Sequence, residues 1–388
     1  MPMLTKTPSE PTVRPDLPPR VKRPRDPRLD VFRGVGMLII LLAHVPNDHW
    51  ALWIPARFGF SDATEMFVFL SGMASAIAFG RLFDREGIVM LSARVIQRIW
   101  QIYWSHICVF IVIATLMSVA GNKPDGTSYI QSLNLVPLFT DPAPILWGLM
   151  TLSYVPNYFD ILPMYMVILA LMPVMLLAER LNRHLPLLLM AALWLSAQFY
   201  LVHLPAEPWS DRPWFFNPFG WQLIFFLGFF LMRGTIVPPP DNRWVMALAI
   251  AIVVITIPFA WYMVLDASAF FREAAHVLHP LTDKTMFGLL RLIHFLALAY
   301  IAFHAVGVGG HRLIHPRVYP ATRVLMKVGQ QSLAVFTTGM VVAQIIGIWL
   351  DHVGRTPVWT ALANLTGFAL LIATAYLVAW FKAAPWKA

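Results

Sequence analysis

Arg33 and His44 stand eleven residues apart in the apolar stretch Arg28–His44. On an α-helix, eleven steps of 100° end only about 20° past three full turns and climb about 16 Å. Both side chains therefore face the same way, one at the cytoplasmic edge of a membrane helix and the other deep toward its outer half. An arginine at such an edge reads as a snorkelling anchor. A histidine inside lipid needs a cavity or a partner. The next apolar run opens Phe58-Gly-Phe-Ser-Asp-Ala-Thr-Glu65. If it runs antiparallel to the first, about a loop centred near residue 53, Asp62 lies level with His44 and Glu65 a turn deeper. A carboxylate beside an imidazole fixes its tautomer and raises its basicity, as a general base requires. Ser61 or Asp62 also fits an N-cap, with Glu65 in the first turn favoured by the helix dipole. The two roles can coexist and both stay open.

Arg94 and Arg98 share a helix face at i, i+4. With Arg33 they form either a basic mouth for phosphates and carboxylates or ordinary topology signals. Asp160 stands at the outer start of a later apolar run, Arg291 and His294 are paired at i, i+3, and Gln330, Gln331 and Ser332 open another run. Each is a polar candidate or a packing residue. Asp211, Pro213, Trp214, Phe215 and Phe216 read as an interfacial aromatic belt or as a platform for stacking a sugar. His279, His311 and His315 fit no compact metal-ligand spacing, so no metal is expected. No nucleotide-binding glycine loop and no nucleophile elbow is visible.

The elements that must position these residues follow from composition. The chain is 58% hydrophobic and only 13% charged, against about 25% charged for a soluble domain. Its mean hydropathy is +0.65. Apolar runs approach the roughly 20 residues that cross a bilayer as a helix, and alternating strands are lacking. The expected fold is all-α: a polytopic transmembrane helical bundle in which each segment satisfies its own backbone. About ten spans are expected, near 30–46, 62–80, 95–119, 158–178, 185–203, 218–232, 244–265, 287–307, 324–350 and 358–381. With both termini cytoplasmic, 22 of the 29 Lys and Arg fall inside, the positive-inside pattern. The segment 121–157, broken by prolines, is too fragmented to span.

Residues 1–28 hold eight prolines and read as a disordered basic cytoplasmic tail. The transmembrane domain is expected over 29–382, with a short cytoplasmic tail at 383–388. No cleaved signal is expected from so polar an N-terminus. The net charge of +9 fits topology and anionic headgroups rather than nucleic acid. A single cysteine, Cys108, excludes an internal disulfide.

The stretches Arg25–Gly34, Ala43–Asn47, Phe58–Gly72, Tyr154–Met164, Phe216–Gln222, Asp283–Thr285, Leu290–Tyr300 and Lys327–Leu333 resemble the OpgC family, and the resemblance covers nearly everything after residue 25. It implies a polytopic inner-membrane enzyme that succinylates osmoregulated periplasmic glucans from succinyl-coenzyme A. A wider likeness links Arg33-x10-His44, Phe67–Gly72 and Arg94-x3-Arg98 to membrane acyltransferase family 3. That likeness implies His44 as catalytic base, with Arg33, Arg94 and Arg98 binding the acyl-coenzyme A donor; Asp62 or Glu65 is expected to orient the base from its place on the neighbouring helix. Asp160, Arg291 and His294 become candidates for the acceptor or for the free carboxylate of the acyl group. The expected partners are acyl-coenzyme A, a periplasmic glucan and lipid, with no permanently bound cofactor. The rival readings are a transporter of a glucan or small anion, and an acyltransferase acting on another envelope polysaccharide or a lipid-linked sugar.

Overall fold

The computed structural model describes residues 26–387; nearly all of the expected tail (1–25) and Ala388 lie outside the described residues. The helices, in order, are α1 (Pro27–His44), α2 (Ala63–Ser75), α3 (Arg81–Ala120), α4 (Tyr129–Ser132), α5 (Val136–Thr140), α6 (Pro142–Thr151), α7 (Ile161–Leu181) and α8 (Leu185–Gln198). Then come α9 (Pro218–Arg233), α10 (Arg243–Thr256), α11 (Tyr262–Ala267), α12 (Ala269–Thr282), α13 (Leu289–Ala305), α14 (Tyr319–Gln330), α15 (Ser332–Val353) and α16 (Pro357–Ala383). Among the described residues the only sheet is a short antiparallel hairpin, β1 (Pro205–Glu207) with β2 (Ser210–Pro213). The fold is all-α.

Four helical stretches are long and apolar enough to cross a membrane: Ala63–Ala120, α7, α15 and α16. Four more are apolar but shorter: α8, α9, Arg243–Phe259 and α13. The 14 residues of α8 rise only about 21 Å, short of the roughly 30 Å hydrocarbon core. Helix length alone therefore does not reproduce ten spans. The stretch Ala63–Ala120 would be about 87 Å long if straight. It breaks at Gly87, whose φ of 78° and ψ of −169° are non-helical. No atom crowds the place of a Cβ there, so backbone conformation rather than space calls for glycine. The runs expected at 62–80 and 95–119 lie on either side of this break.

Other boundaries differ from expectation for local reasons. The run 324–350 divides at Gln331 (φ −108°, ψ 29°) into α14 and α15. The run 244–265 leaves the α-helix at Thr256, before Pro258, and continues as a 3-10 turn and then α11. Hydropathy gives no element to 269–282, because the amphipathic α12 buries none of its residues.

At the centre lies α9, with Trp221, Phe225, Phe226, Phe229 and Phe230 fully buried. A helix apolar on every side belongs inside a bundle. It packs on α2, α7 and α8. A Cβ on Gly72 would strike the carbonyl of Phe225, and one on Gly228 the carbonyl of Phe69, so α2 and α9 meet backbone to backbone as small residues allow. Helix α1 packs on α14, α15 and α2. It ends at His44 because Pro46 holds Val45 extended (φ −70°, ψ 116°). The histidine thus occupies the last turn, at the mouth of the bundle.

Candidate active site

Polar side chains converge where α1 ends. The His44 ring lines a cavity of about 250 Å³ together with Asp62, Tyr158, Asp160, Lys284, Phe215 and Phe216. Its Nδ1 lies 2.7 Å from the Ile40 carbonyl oxygen. A carbonyl can only accept, so Nδ1 carries the proton and Nε2 is left with a lone pair. The Tyr158 ring meets the imidazole edge-on at 5.1 Å between centroids, and the tyrosine hydroxyl donates to the Met340 carbonyl at 2.7 Å. Tyr158 has φ of 91°, a backbone conformation that non-glycine residues adopt at a cost and that clusters at functional sites.

Asp62 caps α2. Its side chain accepts from the Thr64 N–H at 2.6 Å, and its own N–H donates to Glu65 Oε2 at 2.8 Å. This is a complete capping box. The caps also carry an ionic cluster. Lys284 Nζ donates to Asp62 Oδ2 at 2.5 Å, and Arg291 Nη2 lies 3.5 Å from the same oxygen. Arg291 also binds Glu65 through Nε at 2.8 Å and Nη2 at 2.6 Å. The capping reading of the Asp62–Glu65 pair holds, and the same two carboxylates carry ion pairs to Lys284 and Arg291; among the described residues neither hydrogen-bonds His44, whose Nδ1 is taken by the Ile40 carbonyl.

The sequence-derived candidates fall into three sets. His44, Asp62 and Asp160 line one cavity. Glu65, Arg291 and His294 lie behind it, and none of them lines it. The Ser61 N–H donates to His294 Nδ1 at 3.2 Å, and the Ser61 hydroxyl lies 2.7 Å from the same nitrogen. One face of α13 thus grips the start of α2 twice, through Arg291 and through His294. Arg33, Arg94 and Arg98 also stand apart from the cavity. Arg33 donates to Ser332 at 2.6 Å. Arg94 and Arg98 each bind a glutamine on their own helix, Gln97 and Gln101.

Sequence reasoning missed two cavity residues, Lys284 and Tyr158. Both sit in motifs that carry the family resemblance, Asp283–Thr285 and Tyr154–Met164, but nothing in their spacing points at His44. Of the aromatic loop, Phe215 and Phe216 line the cavity. Trp214 is buried and donates to the Pro205 carbonyl at 3.0 Å, which removes it from any stacking platform.

Asp160 precedes α7 and accepts the Phe215 N–H at 2.9 Å.

A helical protein with several helices apolar enough to cross a membrane thus gathers an imidazole, carboxylates and a cation around one cavity. The family model described as OpgC protein matches residues 25–383, and the chain belongs to that family. Comparison with curated proteins and with solved structures gives no match.

Proposed function

We propose that this chain is a membrane O-acyltransferase that moves a succinyl group from succinyl-coenzyme A to hydroxyls of a periplasmic glucan. The observation that carries the reading is His44, whose Nδ1–H is tied to Ile40 while its ring lines a charged cavity. Family membership supports the reaction class, and the succinyl donor and glucan acceptor are what the family resemblance implies. In this reading the protein is a multi-pass inner-membrane protein of about ten spans with cytoplasmic termini, and the His44 end faces the periplasm. The cavity's volume lies below the roughly 300–1,000 Å³ of pockets that enclose whole small molecules, which suits a short acyl chain and a single hydroxyl.

The donor's phosphates lie toward Arg33, Arg94 or Arg98 on the cytoplasmic side, and the pantetheine arm spans the approximately 16 Å to His44. The acceptor hydroxyl enters from the other side. His44 Nε2 takes its proton as the oxygen attacks the thioester carbon. The tetrahedral intermediate then collapses: the carbon–sulfur bond breaks, the ester remains, and the imidazolium returns the proton to the departing sulfur. Asp62, Glu65 and Arg291 hold the wall of the cavity in place, with Asp160 and His294 at its flanks.

The test is mass spectrometry of periplasmic glucans from cells with and without the protein. Succinyl additions should appear only with it. Unchanged glucans in cells that hold the folded protein would overturn the acceptor. Purified full chain that releases no coenzyme A from any acyl donor would overturn the enzyme class.

A further inference from the structure

We propose that Lys284 binds the free carboxylate of the acyl group and thereby selects dicarboxylic over simple acyl donors. The proposal rests on the acyltransferase reading and concerns the same cavity. Arg291 was the sequence's candidate for this task, but it is 8% exposed and committed to Glu65 and Asp62. Lys284 lines the cavity beside His44, and its side chain is 28% exposed. An ammonium carries three donors. Among the described residues one goes to Asp62, and the ammonium also sits 5.6 Å from the centre of the Phe216 ring. Donors therefore remain on a cation that faces the cavity.

The backbone beneath Lys284 is fixed to a degree that ion pairing alone does not require. Trp221 Nε1 donates to the Lys284 carbonyl at 2.8 Å, and the Asn217 N–H donates to the Thr285 carbonyl at 3.0 Å. Gln198 and Trp194 donate to the carbonyls of Met286 and Phe287 at 2.6 and 2.9 Å. Asp283 closes the loop from within by accepting the Met286 N–H at 2.8 Å. Two tryptophans, a glutamine and an asparagine from α8 and α9 thus clamp four successive residues. A cation held this rigidly discriminates by position, because its donors are already where a ligand carboxylate must lie. Asp62 shares the ammonium with the incoming carboxylate and remains its partner when the cavity is empty.

The experiment uses the purified full chain with succinyl- and butyryl-coenzyme A, donors of equal chain length that differ at the terminal carboxylate. Lys284→Met should lower the ratio of kcat/KM for succinyl over butyryl by about 10- to 100-fold, the range of a charge-assisted hydrogen bond. Lys284→Arg should keep most of the preference. Free succinate should protect wild type against thermal unfolding more than butyrate does, and should lose that advantage in Lys284→Met. Should the methionine variant fail to fold, Lys284→Gln gives the same comparison. A ratio unchanged in the variant, whether or not both rates fall together, overturns the proposal and leaves Lys284 as a counter-ion for Asp62. If wild type turns over neither donor, the acyltransferase reading fails, whereas succinate protection that needs Lys284 would still establish the carboxylate site.

Discussion

His44→Ala is expected to leave a folded protein whose acyl transfer falls by about 10²- to 10⁴-fold, the usual contribution of a positioned general base. The stability side of this expectation follows from where the ring sits. His44 is only half-buried, in the last turn of α1, and among the described residues its ring bonds a carbonyl of its own helix. Removing the ring enlarges an existing cavity and leaves no buried charge without a partner, so the fold should tolerate it. The activity side follows from the tautomer. With the proton held on Nδ1 by Ile40, Nε2 is the one nitrogen that can accept from a hydroxyl, and no second imidazole lines the cavity. His44→Gln separates shape from basicity, since an amide fills much of the same volume and accepts hydrogen bonds without taking a proton at neutral pH. Both variants should be inactive, and both should match wild type in thermal unfolding and size-exclusion profile. Wild-type transfer rates in folded His44→Ala protein would remove the imidazole from the chemistry.

The helical class and the common depth that brings His44 and Asp62 to one cavity were legible in the sequence because both depend on local rules. Eleven residues on one helix fix a common face, and a hairpin of two adjacent runs fixes relative depth. Lys284 obeys no such rule. It meets Asp62 across 222 positions, and it is the docking of the loop before α13 on α8 and α9 that puts it there. Arg291 shows the same limit from the other side. As a lone arginine near an outer loop it looked available, and its partner Glu65 stands 226 residues away. Gln331 was read within one run because hydropathy continues through it, whereas the backbone turns there and delivers Ser332 to Arg33. The aromatic loop divided along similar lines: Phe215 and Phe216 reach the cavity while Trp214 packs under the β1–β2 hairpin. Composition describes such a loop as aromatic but cannot say which rings face in.

Arg291→Met should be the most destabilising single change at the site, costing about 3–5 kcal/mol, the range for stranding one member of a buried ion pair. Glu65 has no exposed surface and receives two contacts from the guanidinium. Without them, its remaining partner among the described residues is the Asp62 N–H of the capping box. A carboxylate in that setting must either stay charged in a poor environment or take up a proton. Glu65→Gln alone should cost less, because Arg291 keeps Asp62 at 3.5 Å and the amide oxygen still accepts from the Asp62 N–H. Replacing both partners, in Glu65→Leu with Arg291→Met, should recover much of the loss, since an apolar pair of similar volume removes both desolvation penalties. Thermal unfolding of the three variants in one detergent reads the whole series. A double variant no more stable than Arg291→Met would mean that the guanidinium acts chiefly on Asp62. The function should not recover with the stability. Arg291 steadies the carboxylate that anchors Lys284, so the double variant is expected to fold with a cavity wall that no longer holds its charges in register, and acyl transfer should stay low in a protein that melts normally.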